Sequence, residues 1–134
     1  MVLQDELHFD NIEEALNLLE SDNVSMPSYL PEGFVFERAT FPINPINHPE
    51  ELRAGKHMFA DYSNGEDSIR VMTMEWDPGW GISVFSGSQK DIKINGNTGA
   101  IADGMVMVMI GDVLYSIDAL SLTQEELIKI AKSL

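Results

Sequence analysis

Apolar residues recur along this chain with two different periods, and the change of period divides it into three parts. Ile12, Ala15, Leu16 and Leu19 fall at i, i+3, i+4 and i+7, the spacing that lines one face of a helix. Asp10 or Asn11 supplies a cap, and Glu13 and Glu14 stand at the positive end of the helix dipole, so a helix over about residues 10–22 is predicted. Helical spacing returns at the other end in Leu127, Ile130, Ala131 and Leu134. There Thr123 and Glu126 form a capping box, Leu122 is placed to staple onto Leu127, and Lys129 and Lys132 sit where the dipole favours cations. A closing helix over residues 123–133 follows.

Between the helices the period drops to two. Pro27 and Pro31 each lack an amide donor and push the residue before them toward extended backbone, so Pro27–Gly33 reads as a stiff lead-in to a strand. From Phe34 to Asp118 the chain is β-rich and broken by Asn64-Gly65, Asp77-Pro78-Gly79, Gly87, Asn95-Gly96, Asp103-Gly104 and Gly111-Asp112. Asn-Gly and Asp-Gly suit the positive-φ turns of two-residue hairpins, so the rhythm predicts an antiparallel meander of six to eight strands. The segments are Phe34–Phe41, Lys56–Tyr62, Ser68–Trp76, Gly81–Phe85, Asp91–Ile94, Thr98–Ala102, Met105–Ile110 and Val113–Asp118. Pro42–Pro49, stiffened by prolines, reads as a surface projection. The expected architecture is a single α+β domain over residues 1–134, a curved antiparallel sheet packed against an N-terminal and a C-terminal helix.

Two strands are apolar beyond what one buried face requires. Met105-Val106-Met107-Val108-Met109-Ile110 is apolar at every position, so alternation gives it a methionine face and a β-branched face. In Ser68–Trp76, Met72, Met74 and Trp76 share one face while Ile69 and Val71 share the other. One account is a central strand buried on both sides, by helices on one and by loops or curled strands on the other. The other is a binding groove lined by Met72, Met74, Trp76, Trp80, Met105, Met107 and Met109, which uses methionine's adaptable shape to hold an apolar ligand or a partner's peptide.

Composition narrows the partners. Of 134 residues, 44% are hydrophobic and 22% charged, a globular balance of the commonest single-domain length. With 8 Lys and Arg against 22 Asp and Glu, the formal net charge is −14, so a phosphate backbone or an anionic membrane is repelled at long range. Nucleic acid is not an expected partner. Cysteine is absent, which removes disulfides, thiolate metal sites and a cysteine nucleophile and leaves the compartment open. No apolar run has the roughly 18 to 20 residues of a membrane-spanning helix. A membrane attachment would therefore lie outside these residues.

Little in the chain is arranged for reaction chemistry. His8, His48 and His57 are the only histidines and lack H-E-x-x-H or paired helical spacing. Ser83, Ser86 and Ser88 lie near glycines without forming the G-x-S-x-G elbow, and no glycine-rich phosphate cradle is present. Asp61–Asp67 has oxygen ligands around a glycine, but Gly65 arrives one place too early for a calcium loop, and a hairpin turn at Asn64-Gly65 is the better reading. No catalytic residue, metal ligand or cofactor is assigned, and the expectation is a protein that is not an enzyme.

Three stretches carry a family resemblance: Pro27-Ser28-Tyr29-Leu30-Pro31-Glu32-Gly33-Phe34, Tyr62-Ser63-Asn64-Gly65, and the closing run Leu120–Leu134. In this order they resemble the bacterial family called domain of unknown function 4367, over most of the chain from about Phe9 onward. Two departures are Met105–Ile110, where the family commonly carries a tryptophan, and a pre-helix turn lengthened by Leu122-Thr123-Gln124. The resemblance implies an extracytoplasmic domain of Gram-positive bacteria, held by a membrane anchor outside this segment, in regulators described as anti-sigma factors. It also implies a distant similarity to the curved sheets of lipoprotein carriers. Two expectations result: a noncatalytic sensor or interaction domain with a protein partner, or a carrier for a lipid, acyl chain or hydrophobic peptide.

Overall fold

A computed structural model describes residues 7–19, 24–42, 56–77 and 90–134, together with Glu50 and Gly79. In chain order the elements are β1 (Leu7–Phe9), α1 (Ile12–Leu19), β2 (Val35–Phe41), β3 (Met58–Ser63), β4 (Ser68–Glu75), β5 (Lys90–Ile94), β6 (Asn97–Ala102), β7 (Met105–Ile110), β8 (Val113–Asp118) and α2 (Gln124–Lys132). The strands form one antiparallel sheet in the order β1-β2-β3-β4-β8-β7-β6-β5. This is the expected α+β fold, with a helix near each end of the chain.

The sheet consists of two four-stranded meanders, β1–β4 and β5–β8, that meet where β4 pairs with β8. The link from β4 to β5 carries the chain from the middle of the sheet to its far edge, so these two strands, though consecutive, are not neighbours. Strand β1 is an element the hydrophobic pattern does not announce, being only three residues long without a flanking turn signal. It adds an edge, with Leu7 opposite Phe41 and Phe9 opposite Ala39. The expected strand Gly81–Phe85, most of the Pro42–Pro49 excursion and residues 20–22 of the first helix lie outside the described residues.

Turn chemistry closes the hairpins. Asn95 (φ +52) and Gly96 (φ +84) both take left-handed backbone, the demand of the tight turn joining β5 to β6. At the β3–β4 tip the Asn64 Oδ1 accepts from the amides of Glu66 (2.9 Å) and Asp67 (2.7 Å), which confirms the hairpin reading of this segment. Gly99 in β6 serves a different need. A Cβ there would lie 2.6 Å from the Met107 carbonyl oxygen, so only glycine lets β6 and β7 approach at that point.

Strict alternation sends one residue set to a common core. Ala39 and Phe41 of β2, Ala60 and Tyr62 of β3, Ile69 and Val71 of β4, Val106 and Val108 of β7, and Val113, Tyr115 and Ile117 of β8 are all buried in it. The helices cover this same face, α1 against β1 and β2 through Ala15 and Leu19, and α2 against β7 and β5 through Leu127, Ile130 and Ala131. Asn11 caps α1 by accepting from the amides of Glu13 and Glu14 at 2.8 and 3.2 Å. Thr123 caps α2 by accepting from the Glu126 amide at 3.2 Å. The lead-in then straps the helix down: the Ser28 amide donates to the Ser133 carbonyl (3.2 Å), and the Tyr29 amide to the Ser133 hydroxyl (3.0 Å).

Candidate binding face on the sheet

Because α1 and α2 lie on one side, the opposite face of the sheet is packed against neither. Alternation and register decide what it displays. Val106, Val108 and Ile110 of β7 point to the helices, so Met105, Met107 and Met109 point away. On β4, Ile69 and Val71 take the core side, which puts Met72 and Met74 on the far side. The two methionine groups flank β8: Met72 and Met107 both stand opposite Ser116, and Met74 and Met109 both stand opposite Leu114. Five of the eight methionines in the chain thus share one face.

The resulting surface is partly closed. Met72, Met74, Met105 and Met107 are half-buried, while Met109 and Leu114 are buried. The small, buried Ser116 sits between Met72 and Met107 in the middle of the sheet. Phe59 of β3 extends the row, since it pairs opposite Met72. Trp76 stands just past the end of β4, half-buried, with its amide donating to the Asp112 carbonyl at 2.8 Å. Trp80 lies outside the described residues. The structure therefore brings five of the seven sequence-derived residues onto one surface and adds Phe59 and Leu114, which single-strand patterns did not mark.

Polar groups border this apolar centre. Along one edge a cross-strand row runs Arg38, Asp61, Arg70, Asp118, alternating in sign over β2, β3, β4 and β8. Arg70 grips Asp61 with two bonds, Nε to Oδ1 at 2.8 Å and Nη2 to Oδ2 at 3.2 Å. Arg38 approaches the same carboxylate less closely, its Nε 3.6 Å from Oδ2. Asp118 at the other end is held above the usual carboxylate range because burial penalises its charged form more than the Ser116 hydroxyl and Arg70 favour it. Burial also lowers the His57 pKa, so that imidazole is neutral at pH 7, and its buried Nε2 finds no hydrogen-bond partner among the described residues. The ring packs beside Phe59, centroids 5.1 Å apart.

Two clefts open at the ends of the row. One of about 340 Å³ is lined by His8, Arg38, Thr40, Pro42, Phe59 and Arg70. The other, about 550 Å³, includes Glu66, Asp67, Asp103 and Asp118 in its wall and is acidic. Among the described residues no group of three or more His, Asp or Glu side chains is placed to hold a metal ion. No helix among them is long and apolar enough to cross a membrane.

The three sequence motifs resemble one family, and the comparison with known families agrees. Residues 25–134 match domain of unknown function 4367, and the chain belongs to that family. The match begins later than Phe9, so β1 and α1 precede the shared region. No curated protein and no solved structure matches the chain.

Proposed function

We propose that this chain is a noncatalytic sensor domain that receives an apolar ligand on the sheet face opposite α1 and α2, within a membrane-anchored extracytoplasmic regulator of the anti-sigma type. One observation carries the proposal: Met72, Met74, Met105, Met107 and Met109 lie side by side on the single sheet face that no described helix packs against, with Phe59 continuing the row. Methionine is unbranched and polarisable, so such a surface adapts to ligands of varied shape. The regulatory setting rests on what the chain's resemblance to its family implies. The formal net charge of −14 supports a partner other than nucleic acid.

The test uses Nile red, an uncharged probe that fluoresces when it enters an apolar site. The expected result is saturable binding to the intact chain that falls several-fold in the double variant Met72→Gln/Met107→Gln. Half-buried positions tolerate the exchange, so circular dichroism and the thermal midpoint should stay within a few degrees of the parent. Unchanged binding by the double variant, or no binding by the parent, rejects the reading.

A further inference from the structure

The cleft at the β2 end of the polar row adjoins the cross-strand row that contains Met72 and Met107, since Thr40 and Phe59 belong to both. Its wall combines two guanidinium groups, an imidazole and a hydroxyl, from Arg38, Arg70, His8 and Thr40, with the Phe59 ring also lining it. Arg70 stacks over that ring, its Cζ 4.9 Å from the centroid. The His8 Nδ1 and Thr40 Oγ1 lie 3.0 Å apart, which fixes the imidazole against β2.

Charge is distributed unevenly along the row. Arg70 stands in register between two carboxylates, Asp61 and Asp118. Arg38 stands at the end of the row, opposite Asp61 but outside hydrogen-bond distance at 3.6 Å and with 51% of its side chain exposed. Asp61 already receives both short bonds from Arg70. The β2 end of the row is therefore its positive end, in a chain that is otherwise strongly acidic. From this end a continuous line of side chains, Thr40, Phe59, Met72, Ser116, Met107, crosses β2, β3, β4, β8 and β7 through directly opposed residues. With strands about 4.8 Å apart, four steps span roughly 19 Å.

Resting on the binding-face reading above, we infer that the ligand is an anionic single-chain amphiphile, its acidic head in the cleft lined by Arg38, Arg70, His8 and Thr40 and its acyl tail along Phe59, Met72 and Met107. Charge complementarity selects this occupant. A carboxylate or phosphate gives Arg38 the close anionic partner that Asp61 does not, and guanidinium matches planar oxyanions through paired donors. Repulsion from the acidic surface is screened over about 8 Å at physiological salt, so contact at the head decides the outcome.

Titration calorimetry of the intact chain with three amphiphiles of equal tail length, each below its micellar concentration, tests the assignment: laurate, dodecyltrimethylammonium and dodecyl maltoside. Laurate is expected to bind about tenfold or more tighter than the other two, the effect of a charge-assisted contact. Arg38→Gln should abolish that preference while leaving the affinity for dodecyl maltoside unchanged, and Arg38→Lys should restore part of it. Monododecyl phosphate, run alongside, separates a phosphate head from a carboxylate head; tighter binding of either than of the maltoside supports the inference. Equal binding of all three heads, lost in Met72→Gln/Met107→Gln, overturns the headgroup assignment and leaves the apolar face standing. Binding of none removes both readings. A laurate preference that survives Arg38→Gln overturns the assignment, as does a dimer in sedimentation that laurate does not dissociate.

Discussion

Individual side chains in this domain do their work through what the sheet puts beside them. Tyr62 is buried at the core side of β3, with its ring edge-on to Phe36 at 5.6 Å. Burial disfavours the phenolate and pushes its pKa up to about 12 from 10.0. In the unfolded chain the same phenol ionises near 10, so above that pH the unfolded state sheds a proton that the folded state keeps. The stability associated with Tyr62 is complete below pH 10 and is lost as pH rises from 10 toward 12. Urea denaturation across that window should show a steeper loss for the parent than for Tyr62→Phe, which keeps the ring contact and has no proton to lose. Identical slopes would remove Tyr62 from the alkaline transition. Gly99 shows the same dependence on neighbours: its lack of a Cβ matters only because the Met107 carbonyl comes so close.

At the scale of elements, α2 joins a local signal to a distant one. Its cap is written in residues 123–126 and forms as the spacing predicts, with the Glu126 amide donating to Thr123. The Glu126 carboxylate meets the Thr123 hydroxyl at 3.4 Å, so the return arm of the capping box runs from side chain to side chain. What fixes the helix on the sheet is the fully buried Leu127, together with Ile130 and Ala131. Thr123→Ala should cost about 1 kcal/mol and Leu127→Ala about 3 kcal/mol in urea denaturation. Near-equal costs would mean that capping and not packing holds α2 in place. The C-terminal strap adds contacts that no local pattern encodes, since the Ser28 hydroxyl and amide both reach the Ser133 carbonyl across more than a hundred residues.

For the molecule as a whole, the net charge of −14 is a standing repulsion that compaction increases. Raising the salt from about 10 mM to 150 mM shortens the screening length from roughly 30 to 8 Å and should raise the thermal midpoint by a few degrees. Calorimetry at the two salts checks this; a falling midpoint would show that ion pairs such as Arg70–Asp61 and Lys56–Asp112 outweigh the repulsion. The sequence by itself determined the helices, the turns at Asn64-Gly65, Asn95-Gly96, Asp103-Gly104 and Gly111-Asp112, the bounds of β7 and β8 and the two-faced character of the methionine strand, because caps, positive-φ turns and alternation act over a few residues. It carried the family as well, in three short motifs. Only the tertiary structure decided that β4 and β8 are neighbours, that β1 adds an edge, and that α1 and α2 choose the same face. Those choices depend on pairing between residues far apart in the chain, where burial summed over many side chains outweighs any local preference. They are also what turned two separate methionine strands into one surface and set Arg38, Arg70, His8 and Thr40 at its border, a grouping with no trace in the spacing of the sequence.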